Sequence, residues 1–314
     1  MYLECCIWHI LFDLCLFENF TVQIMIKTMM KKISRLFAFL LLAVFSLAPA
    51  GFALANGSVL WETGLQEAVT PTMERINDFH NLLLYITVAI TVFVILLLLY
   101  IVVRFSAKRN KTPSKTTHNT LLEVVWTVIP VLILVIIAIP SLKLLYYADR
   151  TAEPEMTIKV TGYQWYWGYE YPDYDDLAFN SYMIPDADID SAKGQKRLLS
   201  VDNQLVLPVD TNIQILVTAA DVIHSFAMPA FGIKLDAVPG RTNETWTRVE
   251  KEGTYYGQCS ELCGKNHAYM PIEIRAVSKE EFQEWVAFAK EKYASYDDFK
   301  AQRTMRLAQR GETE

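Results

Sequence analysis

Residues 124–142 read VVWTVIPVLILVIIAIPSL, an uncharged run held between Glu123 and Lys143. As a helix rising about 1.5 Å per residue, a run of this length crosses a hydrocarbon core of about 30 Å. Pro130 and Pro140 would break a helix in water, but packed membrane helices re-satisfy the backbone groups that proline frees. Upstream, no residue between His80 and Arg104 carries a charge, and residues 92–103 read VFVILLLLYIVV. Two such spans predict a transmembrane hairpin over 80–147; the competing reading is a buried helical hairpin in a soluble protein. The connection holds Arg104, Lys108, Arg109, Lys111 and Lys115, with no acid before Glu123. By the positive-inside rule this loop is cytoplasmic and both outer ends of the hairpin lie across the membrane.

Working outward toward the N-terminus, residues 36–55 read LFAFLLLAVFSLAPAGFALA and follow Lys31, Lys32 and Arg35. A basic segment, a short apolar segment and a small-x-small ending at Ala53-Leu54-Ala55 form a secretory signal pattern. The expectation is a signal peptide over 29–55, cleavage after Ala55, and an exported N-terminal segment over 56–79. A third transmembrane helix is the alternative, weakened by Pro49 and Gly51. Residues 1–28 precede a plausible start at Met29 or Met30 and are read as an upstream extension. The whole chain of 314 residues is 52% apolar and 20% charged, which excludes disorder for most of it. Its 29 basic and 35 acidic residues give a net charge of −6, the wrong sign for a nucleic-acid binder.

Working outward toward the C-terminus, the pattern changes after about Tyr147. Short β-rich stretches follow at Met156–Val160, Leu205–Leu207, Ile213–Thr218, Glu244–Val249 and Pro271–Val277. Turn signals separate them, among them Pro172-Asp173, Lys193-Gly194, Pro239-Gly240 and Glu252-Gly253. Short strands at this spacing predict an exported all-β sandwich or barrel over 148–277. Ser278 and Glu281 form a capping box. Phe282, Trp285, Val286 and Ala289 then give one apolar face, so 278–314 is read as a helix against the barrel followed by a polar tail. The β region is acidic, with 11 Lys and Arg against 19 Asp and Glu from Ala148 to Val277. Between Lys159 and Lys193 there is no basic residue, while Glu170, Asp173, Asp175, Asp176, Asp186, Asp188 and Asp190 all fall there. That stretch is either a solvated acidic surface or a docking surface for a basic partner.

The chemistry concentrates in GQCSELCGKNHAYMP, residues 257–271. In an exported domain the pair Cys259 and Cys263 is by default a disulfide. Here His267 follows four residues after Cys263, and Met270 three after that. Thiolate, imidazole and thioether together are ligands suited to copper. A mononuclear blue-copper site uses one cysteine, so a second thiolate is surplus to it, whereas two thiolates can bridge two copper ions. Each copper then needs an imidazole, and the exported domain has one other histidine, His224, in a loop position at a strand end. Zinc is the competing metal, because two Cys and two His also make a tetrahedral structural site.

At these residues CSELCGKNHAYMP (259–271) and DVIHSF (221–226) resemble the binuclear copper A site of cytochrome c oxidase subunit II. The resemblance runs from about Leu65 to Trp285 and includes GYQWYWGYEYPDYDDLAF, SYMIPDAD, VDNQLVLPVD, DAVPGRTN and TYYGQCSELCG. Tyr163, where many relatives have His, and Ala220, where an acid is common, depart from the pattern. The resemblance implies a membrane-anchored all-β fold, a two-helix hairpin followed by a cupredoxin-like Greek-key barrel. It implies that Cys259 and Cys263 bridge both coppers and that His224 and His267 each bind one. Met270 is then the weak ligand of one copper and the Glu261 main-chain carbonyl serves the other. The Glu261 side chain would help hold a magnesium ion shared with subunit I. Trp165 would accept electrons from cytochrome c, and Glu123 would stand at the mouth of a proton path. Glu170, Asp173, Asp175, Asp176 and Asp221 would lie around Trp165 as the docking surface. The implied partners are subunits I and III, cytochrome c and the bacterial inner membrane, with the C-terminal domain in the periplasm. Two rivals fit less well: a quinol oxidase subunit II lacks the copper ligands, and a membrane-tethered copper protein needs neither YQWYW nor Glu261.

Overall fold

The computed structural model describes residues 61–292 apart from 62, 113, 150–152 and 176. The expected upstream extension, signal peptide and polar tail, and Asp176, lie outside the described residues. Two long helices come first, α1 (Pro71–Arg104) and α2 (Thr120–Asp149). With 34 and 30 residues they measure about 50 and about 45 Å, more than a hydrocarbon core requires. Their apolar windows are wholly exposed within the chain, so their surroundings have to be apolar. Pro130 and Pro140 sit inside α2 without ending it. The Asn119 side chain starts that helix by accepting from the amides of Leu121 and Leu122 at 3.1 and 3.2 Å.

Helix α1 begins upstream of the apolar run, inside the segment read as preceding the hairpin. Thr70 is the reason. Its Oγ1 accepts from the Met73 amide at 3.1 Å and donates to the Phe231 carbonyl at 2.8 Å, and Pro71 occupies the first helical position. The cap therefore starts the helix and fastens it to the β domain in one residue. Gly232, with φ +72°, is required at that junction, since a Cβ there would lie 2.7 Å from Ile76 Cδ1. The end of α2 is fastened too: Trp246 Nε1 donates to the Tyr147 carbonyl at 3.1 Å, and Arg75 stacks over the Tyr147 ring.

The region after α2 is all-β and cupredoxin-like: two five-stranded sheets with a short helix. The strands are β1 (Met156–Tyr163), β2 (Tyr166–Tyr171), β3 (Leu177–Ser181), β4 (Leu205–Pro208), β5 (Ile213–Ala219), β6 (His224–Met228), β7 (Ile233–Ala237), β8 (Asn243–Thr247), β9 (Gly253–Cys259) and β10 (Pro271–Val277). One sheet runs β3-β2-β1-β5-β8 and the other β4-β10-β9-β6-β7. Pairs β1–β5 and β4–β10 are parallel and the others antiparallel. Strand β5 shows the alternation that drives this, with Ile213, Ile215, Val217 and Ala219 turned inward. Helix α3 (Lys279–Lys292) buries Phe282, Trp285, Val286 and Ala289. Its start is capped as the sequence implies, with the Glu281 amide donating to Ser278 Oγ at 3.1 Å.

Candidate metal centre

Strands β6 and β9 are neighbours, with Phe226 opposite Cys259. This register brings the start of β6 to the end of β9. His224 opens β6 as a fully buried strand residue opposite Ala237, not the loop residue the sequence suggests. Cys259 closes β9, Cys263 lies in the loop that follows, His267 begins a short 3-10 turn, and Met270 immediately precedes β10. Both cysteines are free thiols, which removes the disulfide reading.

The donors divide around the two sulfurs, which are 3.8 Å apart. Cys259 Sγ lies 3.9 Å from His224 Nδ1 and 3.4 Å from the Glu261 carbonyl. Cys263 Sγ lies 3.6 Å from His267 Nδ1 and 3.6 Å from Met270 Sδ. Ligand atoms of His224, Cys259 and Cys263 all fall within 4.8 Å of one another; His267 stands outside that cluster and meets it through Cys263. Cys259, Cys263, Met270 and His224 are buried, while Leu262 and Tyr269 on the same loop are exposed. The donor set, two thiols, two imidazoles, a thioether and a carbonyl, fits copper.

Electrostatics favour deprotonation of one thiol first. Burial pushes Cys259 up, but contacts from His224 and from the backbones of Glu261 and Ser225 outweigh it and bring the thiol below its usual range. Burial and the neighbouring Cys259 charge push Cys263 up. The second proton thus leaves readily only when a cation takes its place. Burial opposes a charge on His224, yet Cys259 and Asp221 raise its pKa above the ordinary value.

A third layer holds these ligands. The Trp167 ring meets His224 edge-on at 6.0 Å, and its Nε1 donates to the Met270 carbonyl at 3.2 Å. Gln164 Nε2 and Trp165 Nε1 both donate to the Cys263 carbonyl, at 2.9 and 3.1 Å. The sequence reading missed Trp167 and Gln164 as supports, although both lie in the aromatic run it singled out. Half-buried Trp165 therefore touches the loop that carries Cys263. Lys265 stands over its ring at 5.8 Å, a placement that no local pattern announces.

The acidic residues are not gathered at this end. Glu170 pairs with Lys159 at 2.9 Å, Asp173 accepts from the Thr157 amide at 2.7 Å, and Asp175 pairs with Lys290 at 2.6 Å. Strand β2 leads away from Trp165: five steps of about 3.3 Å put roughly 17 Å between its ends, with Glu170 near the far end and Asp173 and Asp175 beyond it. The acids that the sequence suggests around Trp165 thus follow the strand toward its other end. Asp221 alone among the described docking candidates lies at the metal end, with its Oδ1 2.9 Å from His224 Nε2. Glu123 sits in the first turn of α2, most of that helix's length from the β domain.

Comparison with known proteins agrees with this arrangement. The family described as "Cytochrome C oxidase subunit II, periplasmic domain" matches residues 156–277, and "Cytochrome C oxidase subunit II, transmembrane domain" matches residues 58–144. "Probable cytochrome c oxidase subunit 2" of Rickettsia bellii is 53% identical over 238 residues, covering 76% of this chain and 88% of that protein. "Cytochrome c oxidase subunit 2" of Arabidopsis thaliana is 48% identical over 233 residues, covering 72% of this chain and 89% of that protein. The crystal structure of the periplasmic domain of subunit II of cytochrome oxidase from Bradyrhizobium japonicum is 54% identical, covering 46% of this chain and all of that one, with a TM-score of 0.43. The chain belongs to the cytochrome c oxidase subunit II family, with two helices as its membrane anchor and a Cys/His copper centre in its periplasmic domain.

Proposed function

We propose that the chain, as subunit II of its oxidase, accepts electrons from cytochrome c at a binuclear copper A centre and delivers them to haem in subunit I. There oxygen is reduced to water with proton pumping. One observation carries the binuclear reading: each thiol has its own imidazole and its own weak donor. Cys259 faces His224 and the Glu261 carbonyl, and Cys263 faces His267 and Met270. A single tetrahedral zinc would draw both imidazoles onto both sulfurs. Cys259, Cys263, His224, His267, Met270 and the Glu261 carbonyl would together hold the two coppers. Such a pair, when bound, shares one electron, so bond lengths change little between oxidation states.

The chain's own residues supply the rest. Sheet ends hold the ligands in place, and exclusion of water by Trp167, Met270 and Phe226 keeps the dielectric low. Trp165 is the residue on which electrons from cytochrome c arrive, supported by its hydrogen bond to the Cys263 carbonyl. The Glu261 side chain is exposed, free to share a magnesium ion with subunit I. Subunits I and III would cover the apolar faces of α1 and α2. The acids Glu170, Asp173, Asp175 and Asp176 would act on cytochrome c through the long-range field rather than by contact. The home of the complex would be a bacterial inner membrane, with the β domain in the periplasm.

Electron paramagnetic resonance of the copper-loaded chain tests the centre. Two equivalent copper nuclei sharing one electron give seven hyperfine lines. A four-line single-copper signal, or a silent zinc-loaded protein, would remove the binuclear reading. Glu123, at the loop end of α2, is proposed as the mouth of a proton path. Glu123→Gln should then lower steady-state oxygen consumption while reduction of the copper centre stays fast; unchanged oxygen consumption would remove that role.

A further inference from the structure

Asp221 makes three hydrogen bonds, and none is to a residue of a docking surface. Its Oδ1 lies 2.9 Å from His224 Nε2 and accepts from the Val222 amide at 2.6 Å, while its Oδ2 accepts from the Gln164 amide at 2.7 Å. The side chain is 34% exposed and the His224 side chain 0%, so the carboxylate caps a buried imidazole from the solvent side. His224 presents its other nitrogen, Nδ1, to Cys259. An imidazole that donates from Nε2 keeps the Nδ1 lone pair free for a metal; which nitrogen carries the proton is set by the bond the other makes.

The same carboxylate reaches the turn between β1 and β2. Gln164 gives its backbone amide to Asp221, and its side-chain amide and the neighbouring Trp165 indole go to the Cys263 carbonyl. The turn thus fastens to both ligand loops, to the His224 side through Asp221 and to the Cys263 side directly. Packing against His224 is close on the third side as well, because a Cβ on Gly162 would fall 2.9 Å from the imidazole ring.

We propose that Asp221 is a positioning residue of the metal centre: it fixes the ring and tautomer of His224 and ties that ligand to the turn that carries Trp165. This rests on the copper reading above but makes a claim about the metal-free chain as well. In the apo full-length chain, nitrogen-15 NMR of imidazole-labelled protein should find a His224 Nε2 proton held by Asp221 and protected from exchange. In Asp221→Ala that protection should disappear, and copper affinity should fall about 10- to 100-fold, the usual cost of losing a carboxylate behind a histidine ligand. Asp221→Asn keeps an acceptor for Nε2 and the overall shape, so it should retain the tautomer and most of the affinity. Removing the negative charge beside a ligand should still move the centre's reduction potential upward.

Two results would overturn the proposal. One is an apo His224 in the unsubstituted chain with no proton on Nε2, or with one that exchanges freely. The other is Asp221→Ala with unchanged hyperfine pattern, potential and copper affinity, whether or not cytochrome c associates more slowly. If the apo proton sits on Nε2 but the loaded chain shows no two-copper signal, Asp221 keeps its role and the binuclear reading fails, so the two claims separate. Should Asp221→Ala fold poorly, the Asn variant's potential and tautomer decide alone.

Discussion

The two ends of strand β2 have opposite characters. At the end beginning with Tyr166, three side chains serve the ligands: Gln164, Trp165 and Asp221 bond toward Cys263 or His224. At the end closing with Tyr171, the acids that follow serve the fold itself. Asp173 accepts from Thr157, and Asp175 reaches across to Lys290 on α3. Exposed ion pairs of that kind contribute little and tolerate change, whereas a buried donor set with fixed partners does not. A few residues of sequence therefore separate a region where one atom decides function from a region where whole side chains are dispensable.

The two thiols carry the largest expected effect. Cys259→Ser or Cys263→Ser should abolish the two-copper signal and reduce electron transfer from cytochrome c to background, because in the proposed centre each sulfur would serve both coppers. Met270→Leu should be milder, leaving a copper site of altered potential, since thioether is the weakest of these ligands. If Cys259→Ser kept two coppers by metal analysis and full turnover, the division of donors around the sulfurs would have no functional meaning.

A single methyl group should come next. Gly162→Ala puts a Cβ 2.9 Å from the His224 ring, and backbone on both sides holds that position in β1. Overpacking of this kind costs about 1–3 kcal/mol. The thermal midpoint should fall and copper affinity should drop with it. An unchanged midpoint with unchanged affinity would mean the ring has room to move, and the metal end would be softer than its bonding implies.

Trp165→Phe should slow electron arrival while leaving cytochrome c affinity nearly unaltered. Phenylalanine keeps an apolar surface, but it loses the indole and its bond to the Cys263 carbonyl. Stopped-flow reduction of the copper centre measures the rate, and a rate like that of the unsubstituted chain would remove Trp165 from the path.

The ligands were legible because Cys259, Cys263, His267 and Met270 share one short loop, where spacing alone limits what they can reach. His224 was reachable by elimination among the histidines of the exported domain, although its place in β6 was not. Helix α3 and its Ser278 cap followed from local pattern, as did the paired apolar spans. The destination of the acidic stretch was not legible. A run of like charges says nothing about which way the strand before it points, and β2 points away from the metal end. Lys265 over Trp165 was equally hidden, because a loop folding back onto a turn leaves no periodic trace. Asp221 looked like a surface acid because the sequence does not say which way a carboxylate faces.

The smallest effects test the comparison most finely. Two unit charges in water about 10 Å apart change an association rate by a factor of about 2, and at about 20 Å by a factor of about 1.4 before salt screening. With a Debye length of about 8 Å at 0.15 M ionic strength, the more distant effect nearly vanishes. Glu170→Gln, Asp173→Asn and Asp175→Asn should therefore each slow association of a basic cytochrome c only slightly, and only at low salt. Lys265 stands 5.8 Å from the Trp165 ring and would oppose a basic partner docked over that ring. Lys265→Gln should speed association about twofold at low salt, an opposite sign from a nearer charge. Asp175 has a second consequence, because its pair with Lys290 holds its carboxyl below the usual range. A depressed folded-state value stabilises above the unfolded pKa and is lost as pH falls through the folded one. Asp175→Asn should thus flatten the acid limb of the stability curve slightly and leave neutral association almost alone. Should Asp175→Asn slow association more than Lys265→Gln speeds it, cytochrome c would dock at the Tyr171 end of β2, and the contrast between the two ends would have to be reversed.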